Sequence, residues 1–144
     1  MITGSASGIG SAAAKLLQGQ GDRVTDQSGG SIDAILTVAG VDLGGPATVA
    51  INYYGALSTL EGLRPLLLKS AAPRAVAVSS ITSVHPFDQQ LLDAMLDGTE
   101  EQALRRAKVT NYAYPTTKRA GDCRARVTAH RDRCDEEISV GGMC

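Results

Sequence analysis

The chain has few of the residues that mark disulfide-stabilised, zinc-binding or aromatic-rich proteins. Its 144 residues contain no Trp, one Phe and four Tyr, so a core has to be built from Leu, Val, Ile and Ala. The cysteines are Cys123, Cys134 and Cys144. Because their number is odd and no close C-x2-C pair occurs, a disulfide framework and a zinc site are both disfavoured, and we expect free thiols.

Strong charge and long apolar runs are also missing. The net charge is −1 and 43% of the residues are hydrophobic, which is typical of one globular domain. This balance gives no electrostatic footprint for nucleic acid or an anionic membrane. No apolar run approaches the roughly 20 residues of a membrane span, and no basic segment followed by an apolar stretch opens the chain. We therefore expect a cytoplasmic protein without nucleic-acid or membrane partners.

Short apolar runs alternate with helical patterns along the chain. Met1–Thr3 is typical of the end of a strand, and residues 33–40 and 75–79 are apolar runs that suit buried parallel strands. Helical periodicity follows the first run at residues 9–17 and the second at about 50–69. This order predicts an α/β fold with a mostly parallel sheet.

A small helical insert is predicted at residues 86–108. Asp88 is a candidate N-cap for its first helix. Thr99 and Gln102 form a candidate capping box for its second helix. The next predicted helix contains Pro115, which a helix tolerates only near its first turn.

A glycine-rich turn separates the first strand from the first helix. Gly4, Gly8 and Gly10 follow the spacing T-G-x3-G-x-G. Glycines at this spacing allow a tight turn and let the backbone approach a pyrophosphate at a helix N-terminus. A plain strand-to-helix turn is the alternative, and the turn alone does not decide between them.

Tyr114 and Lys118 stand four positions apart and so share one face of the last predicted helix. An ammonium beside a phenol favours the phenolate, which suits the hydroxyl to exchange a proton with an alcohol or carbonyl. This spacing occurs by chance in many helices. It gains weight because the glycine turn stands at the other end of the same chain.

Five motifs, in this order, resemble the short-chain dehydrogenase/reductase family of NAD(P)-dependent oxidoreductases. They are T-G-S-A-S-G-I-G at 3–10, T-V-A-G at 37–40 in place of the family's N-N-A-G, I-N-Y-Y-G at 51–55, V-S-S-I at 78–81, and Y-P-T-T-K at 114–118. The run S-S-I-T-S-V-H that ends at His85, with the helical insert, is most similar to the bacterial 3α-hydroxysteroid dehydrogenase/carbonyl reductase branch.

The resemblance implies an incomplete Rossmann-like fold, with a doubly wound parallel sheet of three or four strands and a small helical insert. Residues 1–120 would form a partial NAD(P)-binding domain, and residues 121–144 an atypical charged tail that ends near glycines. The implied reaction is hydride transfer between NAD or NADP and a small-molecule alcohol or ketone, including steroid-like and other apolar ones. Association into a homo-oligomer stays open.

The resemblance also implies four catalytic residues. Tyr114 would be the general acid/base, and Lys118 would favour its ionised form and hold the nicotinamide ribose. Ser80 would hydrogen-bond the substrate oxygen, and Asn52 would anchor a water that links Lys118 to solvent. Structural alternatives stay open for two of them, since Asn52 could simply bond a neighbouring backbone and Ser80 could cap the strand end.

Cofactor contacts are expected from the glycine turn and from later positions. The expected residues are Gly4, Ser7, Gly8, Ile9, Gly10, Ala39, Gly40, Tyr114 and Lys118, with Ala39 and Gly40 on the adenosine side.

Asp26 is the candidate acid for the adenosine ribose of NAD. It closes a candidate short strand, Arg23–Asp26, and lies 22 residues after Gly4, near the roughly 20 expected of such an acid. Arg23 could instead attract the 2′-phosphate of NADP, so the choice between the two cofactors stays open.

Two further side chains lie near these motifs. Tyr112 is six positions from Lys118, off the same helical face, and is predicted to be a packing residue. His85 is predicted to lie in a loop or at a cleft edge, with a substrate contact as the alternative.

Three departures from the family pattern predict weak or absent activity. The first strand is a stub. Only six residues separate Asp26 from Asp33, whereas a parallel crossover normally takes a dozen or more, so the second strand would be displaced or the adenosine half of the site left open. The pattern is lost after about Ala120, which would leave residues 75–79 as an exposed apolar edge.

These departures suggest a truncated product, or one spliced or framed differently from a full-length enzyme. The main alternative to an enzyme is a non-catalytic remnant that binds nucleotide weakly or associates with homologues. A phosphate-binding NTPase is disfavoured because G-x4-G-K-[ST] does not occur.

Overall fold

The protein is built on a parallel sheet flanked by helices. The computed structural model describes residues 1–24, 30–135 and 139–143, with side chains described as far as residue 126. The four strands lie in the order β1 (Ile2–Thr3), β2 (Ala34–Thr37), β3 (Arg74–Val78) and β4 (Ser139–Met143). All three strand pairs are parallel, which confirms the predicted α/β, Rossmann-like fold.

Six α-helices connect and cover the strands of the described chain. They are α1 (Gly8–Gly19), α2 (Gly45–Val49), α3 (Ala56–Leu67), α4 (Gln89–Leu96), α5 (Glu100–Ala107) and α6 (Ala113–Asp135). A π-helical turn (Ala50–Gly55) joins α2 to α3, and a 3-10 turn (Ile81–Val84) follows β3. The helix predicted from about residue 50 therefore starts earlier, at Gly45, because Pro46 suits a first helical turn.

The strand predicted at Arg23–Asp26 does not form where it is described. Arg23 and Val24 have no strand structure, and Thr25 and Asp26 lie outside the described residues. β1 pairs with β2 directly, with Ile2 opposite Leu36. It is two residues long, and the sequence predicted a short strand at Met1–Thr3. Within the described residues, β1 is therefore an edge strand.

The prediction that residues 75–79 form an exposed edge was wrong. β4 pairs with β3 along its whole length, from Arg74 opposite Ser139 to Val78 opposite Met143. Backbone hydrogen bonds do not depend on side chains, so even the glycine-containing segment S-V-G-G-M can satisfy an edge that would otherwise be open. Its lack of an alternating apolar pattern hid it from sequence reasoning.

Two hydrophobic clusters form the core of the described part of the chain. The larger joins the insert to α2, the π-helical turn and α6, and contains Val49, Tyr53, Leu91, Leu92, Met95, Ala103, Ala107, Ala113 and Ala120. The smaller lies between the sheet and α3 and contains Ile32, Ile35, Leu67 and Ala75. The insert thus contributes to the same core as the helix that carries Tyr114 and Lys118.

Asp88 ties the insert to α6. Its side chain is 6% exposed and forms an ion pair with Arg106 of α5 at 2.6 Å. The carboxylate also caps α4, accepting a 2.9 Å hydrogen bond from the Leu91 N–H, as predicted. Its own backbone N–H donates to Thr116 Oγ1 on α6 at 3.0 Å. One residue therefore joins three helices next to the candidate site.

The ionised form of Asp88 is favoured overall. Burial by itself would raise the pKa of this carboxyl. Hydrogen bonds from Arg106, the Leu91 N–H and Thr110, together with the charge of Arg106, outweigh burial and lower the pKa below its ordinary value.

We predict that Asp88→Asn lowers the free energy of unfolding by about 1–3 kcal/mol at pH 7. The variant removes the negative charge of Asp88 and leaves Arg106 without its partner in a largely buried ion pair. The pKa of Asp88 in the folded protein is below the ordinary value of 3.8. The stabilisation by its charge is therefore present above pH 3.8 and is lost as the pH falls through the folded-state pKa. Urea unfolding at pH 7 and near pH 3 would measure this. Asp93→Asn, at an exposed position of α4, is the matched control; an equal loss in both variants would contradict the prediction.

Within the described ranges, no helix combines the length and apolar character needed to cross a membrane.

Candidate active site

The glycine turn is packed against the loop that follows β2. Gly4 has φ +69°, and a Cβ there would lie 2.9 Å from the backbone N and Cα of Ala39. Thr3 Oγ1 accepts hydrogen bonds from the N–H groups of Val38 and Ala39 at 3.1 and 3.2 Å. The turn and Ala39 are therefore held together by contacts that leave no space for a side chain at position 4.

The same turn brings Gly10 of α1 close to the backbone of Gly4 and leaves open space at Gly8. A Cβ on Gly10 would come within 2.3 Å of the Gly4 carbonyl oxygen. Gly8 has φ +53° with nothing within 4 Å of its Cβ position. This cradle at the N-terminus of a 12-residue helix fits a pyrophosphate, which prefers backbone N–H groups and the positive end of a helix dipole. Ser7 and Ile9 flank Gly8, and Ser7 is the N-cap residue of α1.

Asn52 holds the loop after β2 from the π-helical turn. Its Oδ1 accepts from the Val41 N–H and its Nδ2 donates to the Val41 carbonyl, both at 2.8 Å. Nδ2 also lies 3.5 Å from Thr117 Oγ1 on α6. The structural alternative for Asn52, a bond to neighbouring backbone, is therefore present, and its role toward a water stays a prediction.

Ser80 caps the 3-10 turn that follows β3. Its Oγ accepts from the Thr82 N–H at 3.3 Å and from the Thr82 hydroxyl at 3.0 Å. A hydroxyl that accepts both bonds keeps its own proton free to donate to an oxygen. The capping alternative is thus present, and it is compatible with the substrate role that the resemblance implies.

Tyr114 and Lys118 lie on the first turns of α6, which begins at Ala113. The Lys118 Nζ is 5.5 Å from the centroid of the Tyr114 ring and donates to the Val78 carbonyl of β3 at 3.1 Å. Pro115 falls in the first turn, as predicted. Lys118 therefore reaches from the helix to the end of the strand that precedes Ser80.

Partial burial affects the charge of Lys118. Desolvation lowers the pKa of its ammonium, and the nearby carboxylate of Asp122 opposes this only in part. The positive charge of Lys118 is therefore unfavourable in the folded protein, and an anionic or electron-rich neighbour would make it less so.

Gly40 joins the two halves of the site. A Cβ on Gly40 would lie 3.4 Å from Asn52 Oδ1 and 3.7 Å from Lys118 Nζ. Its neighbour Ala39 touches the glycine turn. The structure therefore brings one set of predicted site residues together at the carboxyl ends of β1, β2 and β3. The set consists of the glycine turn, Ala39, Gly40, Asn52 and Lys118. Asp26 lies outside the described residues.

The prediction that Tyr112 is a packing residue was wrong, because the residue is 48% exposed. It precedes α6, and its carbonyl accepts from Thr116 Oγ1 at 2.6 Å, so its backbone and not its ring serves the helix start. His85 is exposed beside the 3-10 turn, consistent with the predicted loop position.

Two hydroxyl residues of this region were missed by sequence reasoning. Thr117 lies between Tyr114 and Lys118 and approaches Asn52, and Thr116 binds Asp88. Their signal was the pair of threonines inside Y-P-T-T-K, since a helix carrying hydroxyls on adjacent positions can contact two neighbours at once.

No protein-family model matches the chain. Among curated proteins, it is 29% identical over 139 residues to the 3-alpha-hydroxysteroid dehydrogenase/carbonyl reductase of Comamonas testosteroni, covering 73% of this chain and 53% of that protein. Among solved structures, the 3-alpha-hydroxysteroid dehydrogenase of Pseudomonas sp. B-0831 complexed with NADH matches with a TM-score of 0.86 and 31% identity, over 98% of this chain and 75% of that one.

A putative short chain dehydrogenase of Escherichia coli CFT073 shares the fold, with a TM-score of 0.52 and 20% identity over 78% of this chain and 44% of that one. The chain belongs to the short-chain dehydrogenase/reductase family, which confirms the resemblance. It spans about half the length of the curated relative that it matches.

Proposed function

We propose that the protein is an NAD(P)-dependent alcohol/carbonyl oxidoreductase of the short-chain type, with Tyr114 as its general acid/base. One observation carries the proposal: Ala39 and Gly40 link the glycine turn on one side to Asn52 and Lys118 on the other. A dinucleotide lying along this line would have its pyrophosphate at α1 and its nicotinamide end near α6.

The cofactor would supply or accept the hydride. The backbone N–H groups at Gly8, Ile9 and Gly10 would hold the pyrophosphate, because the turn leaves open space at Gly8. Lys118 would hold the ribose nearest the reacting carbon after exchanging its bond to the Val78 carbonyl. The Pseudomonas relative was crystallised with NADH, which supports a nicotinamide dinucleotide and leaves NAD and NADP both open for this chain.

The chain's own residues would handle the proton. In carbonyl reduction, the Tyr114 hydroxyl would donate its proton to the substrate oxygen, and in alcohol oxidation the phenolate would take it back. Ser80, with its proton free, would donate a hydrogen bond to the same oxygen and stabilise the negative charge that develops there. Lys118 would stabilise the phenolate from beside the ring, and Asn52 would hold the loop that positions Gly40.

An apolar substrate suits the surroundings of Ser80. Ile81 and Val84, in the turn that Ser80 caps, are 70% and 69% exposed. Exposed aliphatic side chains at a site edge favour burial of an apolar ligand surface. Together with the hydroxysteroid names of both relatives, they support a steroid-like or other apolar ketone or alcohol as substrate.

A second candidate is a remnant that binds nucleotide without turnover, or that associates with homologues. The observation that favours it is the short edge of the sheet. Within the described residues, the edge strand on that side is β1, which is two residues long and gives little support to an adenosine. For this reason we expect turnover by the 144-residue chain to be weak.

Calorimetry with NADH and NADPH, followed by an assay with an apolar ketone, separates the two candidates. Binding with slow, Tyr114-dependent product formation supports the enzyme. Binding without product supports the nucleotide-binding remnant. No binding of either dinucleotide would contradict both the enzyme and that remnant, and would leave only association with homologues.

We predict that Lys118→Met weakens nucleotide binding by about tenfold or more, through loss of a charged hydrogen bond, without lowering the melting temperature. The pKa of Lys118 is lowered in the folded protein, so its positive charge lowers the free energy of unfolding at every pH below that folded-state pKa. The free energy of unfolding rises again as the pH increases from the folded-state pKa towards the ordinary value of 10.5. The variant lacks this pH dependence. Thermal melts from pH 7 to 10 test it, with Lys15→Met at an exposed position of α1 as the control; a melting temperature that falls in Lys118→Met alone would contradict the prediction.

A further inference from the structure

Ser80 begins a turn whose backbone is closed by its own hydrogen bonds. The Ser80 carbonyl accepts from the Ser83 N–H at 3.0 Å, and the Thr82 carbonyl accepts from the His85 N–H at 3.0 Å. These bonds join main-chain atoms, so they remain available when a side chain of the turn is replaced. The backbone at Ser80 is therefore held without help from the side chain at position 82.

The turn is also held against α6. Arg119 donates from Nη1 to the carbonyl of the buried Ser83 at 3.2 Å. The same guanidinium lies 4.2 Å from the centroid of the Phe87 ring. Arg119 belongs to the helix that carries Tyr114, so this contact joins the turn of Ser80 to the helix of the proposed proton donor.

The Ser80 hydroxyl receives two hydrogen bonds from a single residue. The Thr82 N–H donates to Ser80 Oγ at 3.3 Å, and the Thr82 hydroxyl donates to the same atom at 3.0 Å. A serine hydroxyl has two acceptor lone pairs and one proton. With both lone pairs engaged, only the proton is left for another partner.

Of the two donors, only the Thr82 hydroxyl depends on the side chain at position 82. Without it, one lone pair of Ser80 could accept from water, since Ser80 is partly exposed. The Ser80 proton would then lose its fixed direction, because a hydroxyl rotates to suit whichever partners it has. The Thr82 hydroxyl therefore leaves donation to an acceptor such as a carbonyl oxygen as the open role of Ser80.

We propose that Thr82 is a positioning residue that fixes the Ser80 hydroxyl as a hydrogen-bond donor to the substrate oxygen. The inference rests on the oxidoreductase function proposed above, in which Ser80 binds that oxygen. Because Thr82 acts through Ser80, its effect has to disappear when the Ser80 hydroxyl is removed.

A double-mutant cycle in ketone binding tests this dependence. The full chain is saturated with the oxidised dinucleotide that it binds, NAD or NADP, which cannot give a hydride to a ketone. It is then titrated calorimetrically with decalone, an apolar bicyclic ketone. We expect Thr82→Val to weaken decalone binding by about fivefold, the value of one hydrogen bond. Thr82→Ser keeps the hydroxyl and should stay within about twofold of wild type.

The second half of the cycle uses a Ser80→Ala background. There, Thr82→Val should change decalone affinity by no more than about twofold, because the group that it positions is gone. Comparison of the two backgrounds also cancels any apolar contact that valine adds. If Thr82→Val does not fold, as judged by circular dichroism, Thr82→Ala takes its place in both backgrounds.

Thr59→Val is the matched control for loss of a threonine hydroxyl. Thr59 lies on α3 and donates to the Gly55 carbonyl at 2.8 Å. Valine at this position should leave decalone affinity within about twofold.

Unchanged decalone affinity in Thr82→Val would overturn the inference, as would an equal loss in both backgrounds. So would a Thr82→Ser variant as weak as Thr82→Val, because the hydroxyl would then not be the group that matters. Absence of decalone binding to the wild-type chain also counts against it.

The outcome for Thr82 can be told apart from that for the oxidoreductase, because the cycle requires no turnover. Coupled affinities, with no product formed from decalone and the reduced dinucleotide, would contradict the oxidoreductase and support the role of Thr82. Product formation without coupling would do the reverse.

Discussion

Tyr114→Phe is expected to slow hydride transfer to an apolar ketone by at least about a thousandfold while leaving dinucleotide affinity within about twofold. General acid catalysis contributes about 10²–10⁴-fold, and the variant removes only the hydroxyl that supplies the proton. The ring stays on α6, beside the Lys118 Nζ at 5.5 Å from its centroid. Single-turnover rates with enzyme in excess measure the effect even where steady-state turnover is slow.

Tyr112→Phe is the matched control for that experiment. It removes a hydroxyl two positions away, from a ring that is 48% exposed, and should leave the rate within about twofold because surface substitutions of this kind have small effects. A similar rate in wild type and Tyr114→Phe would show that another group moves the proton. A similar loss in both variants would show that the effect belongs to the start of α6 and not to the Tyr114 hydroxyl.

Gly10→Ala is expected to weaken dinucleotide binding by about a hundredfold or more and to lower the free energy of unfolding by about 1–3 kcal/mol. The added Cβ would lie 2.3 Å from the carbonyl oxygen and 2.7 Å from the carbonyl carbon of Gly4. These are backbone atoms, so α1 has to move away from the turn. That movement displaces the N–H groups proposed to hold the pyrophosphate.

Gly19→Ala separates this effect from helix propensity. Gly19 lies at the other end of α1, and a Cβ there meets nothing within 4 Å. Alanine at this position should leave binding unchanged and keep or slightly raise stability. Calorimetry and urea unfolding measure both quantities. Wild-type affinity in Gly10→Ala would exclude the glycine turn as the phosphate site.

The features that sequence reasoning predicted well depend on local chemistry. The caps at Asp88 and Thr99 were predicted because a capping side chain acts within three residues of itself, and both are present. That the first strand is short was also predicted from the sequence. The tight turn that the glycines at positions 4, 8 and 10 allow is also a local feature.

The features that were missed depend on distant parts of the chain. β4 pairs with β3 although more than sixty positions separate them, and its S-V-G-G-M sequence has no apolar alternation to announce a strand. The exposure of Tyr112 depends on where α6 begins, which its spacing from Lys118 could not indicate.

The candidate site lies between these two cases. Its motifs are local and predictable, and their assembly required the fold. A Cβ on Gly40 would lie 3.4 Å from Asn52 Oδ1 and 3.7 Å from Lys118 Nζ, and these two residues come from separate helical segments. The catalytic and cofactor roles of the individual residues stay predictions, and the variants above test them.

Transfer of deuterium from 4-deuterated NADH to an apolar ketone, followed by mass spectrometry of the alcohol, tests the central proposal most directly, because labelled product accumulates even at slow turnover. We predict labelled alcohol from the wild-type chain and none above background from Tyr114→Phe, at concentrations where calorimetry shows both to be saturated with dinucleotide. Saturated wild-type protein that yields no labelled alcohol, or equal labelling by the two proteins, would contradict the proposed oxidoreductase mechanism.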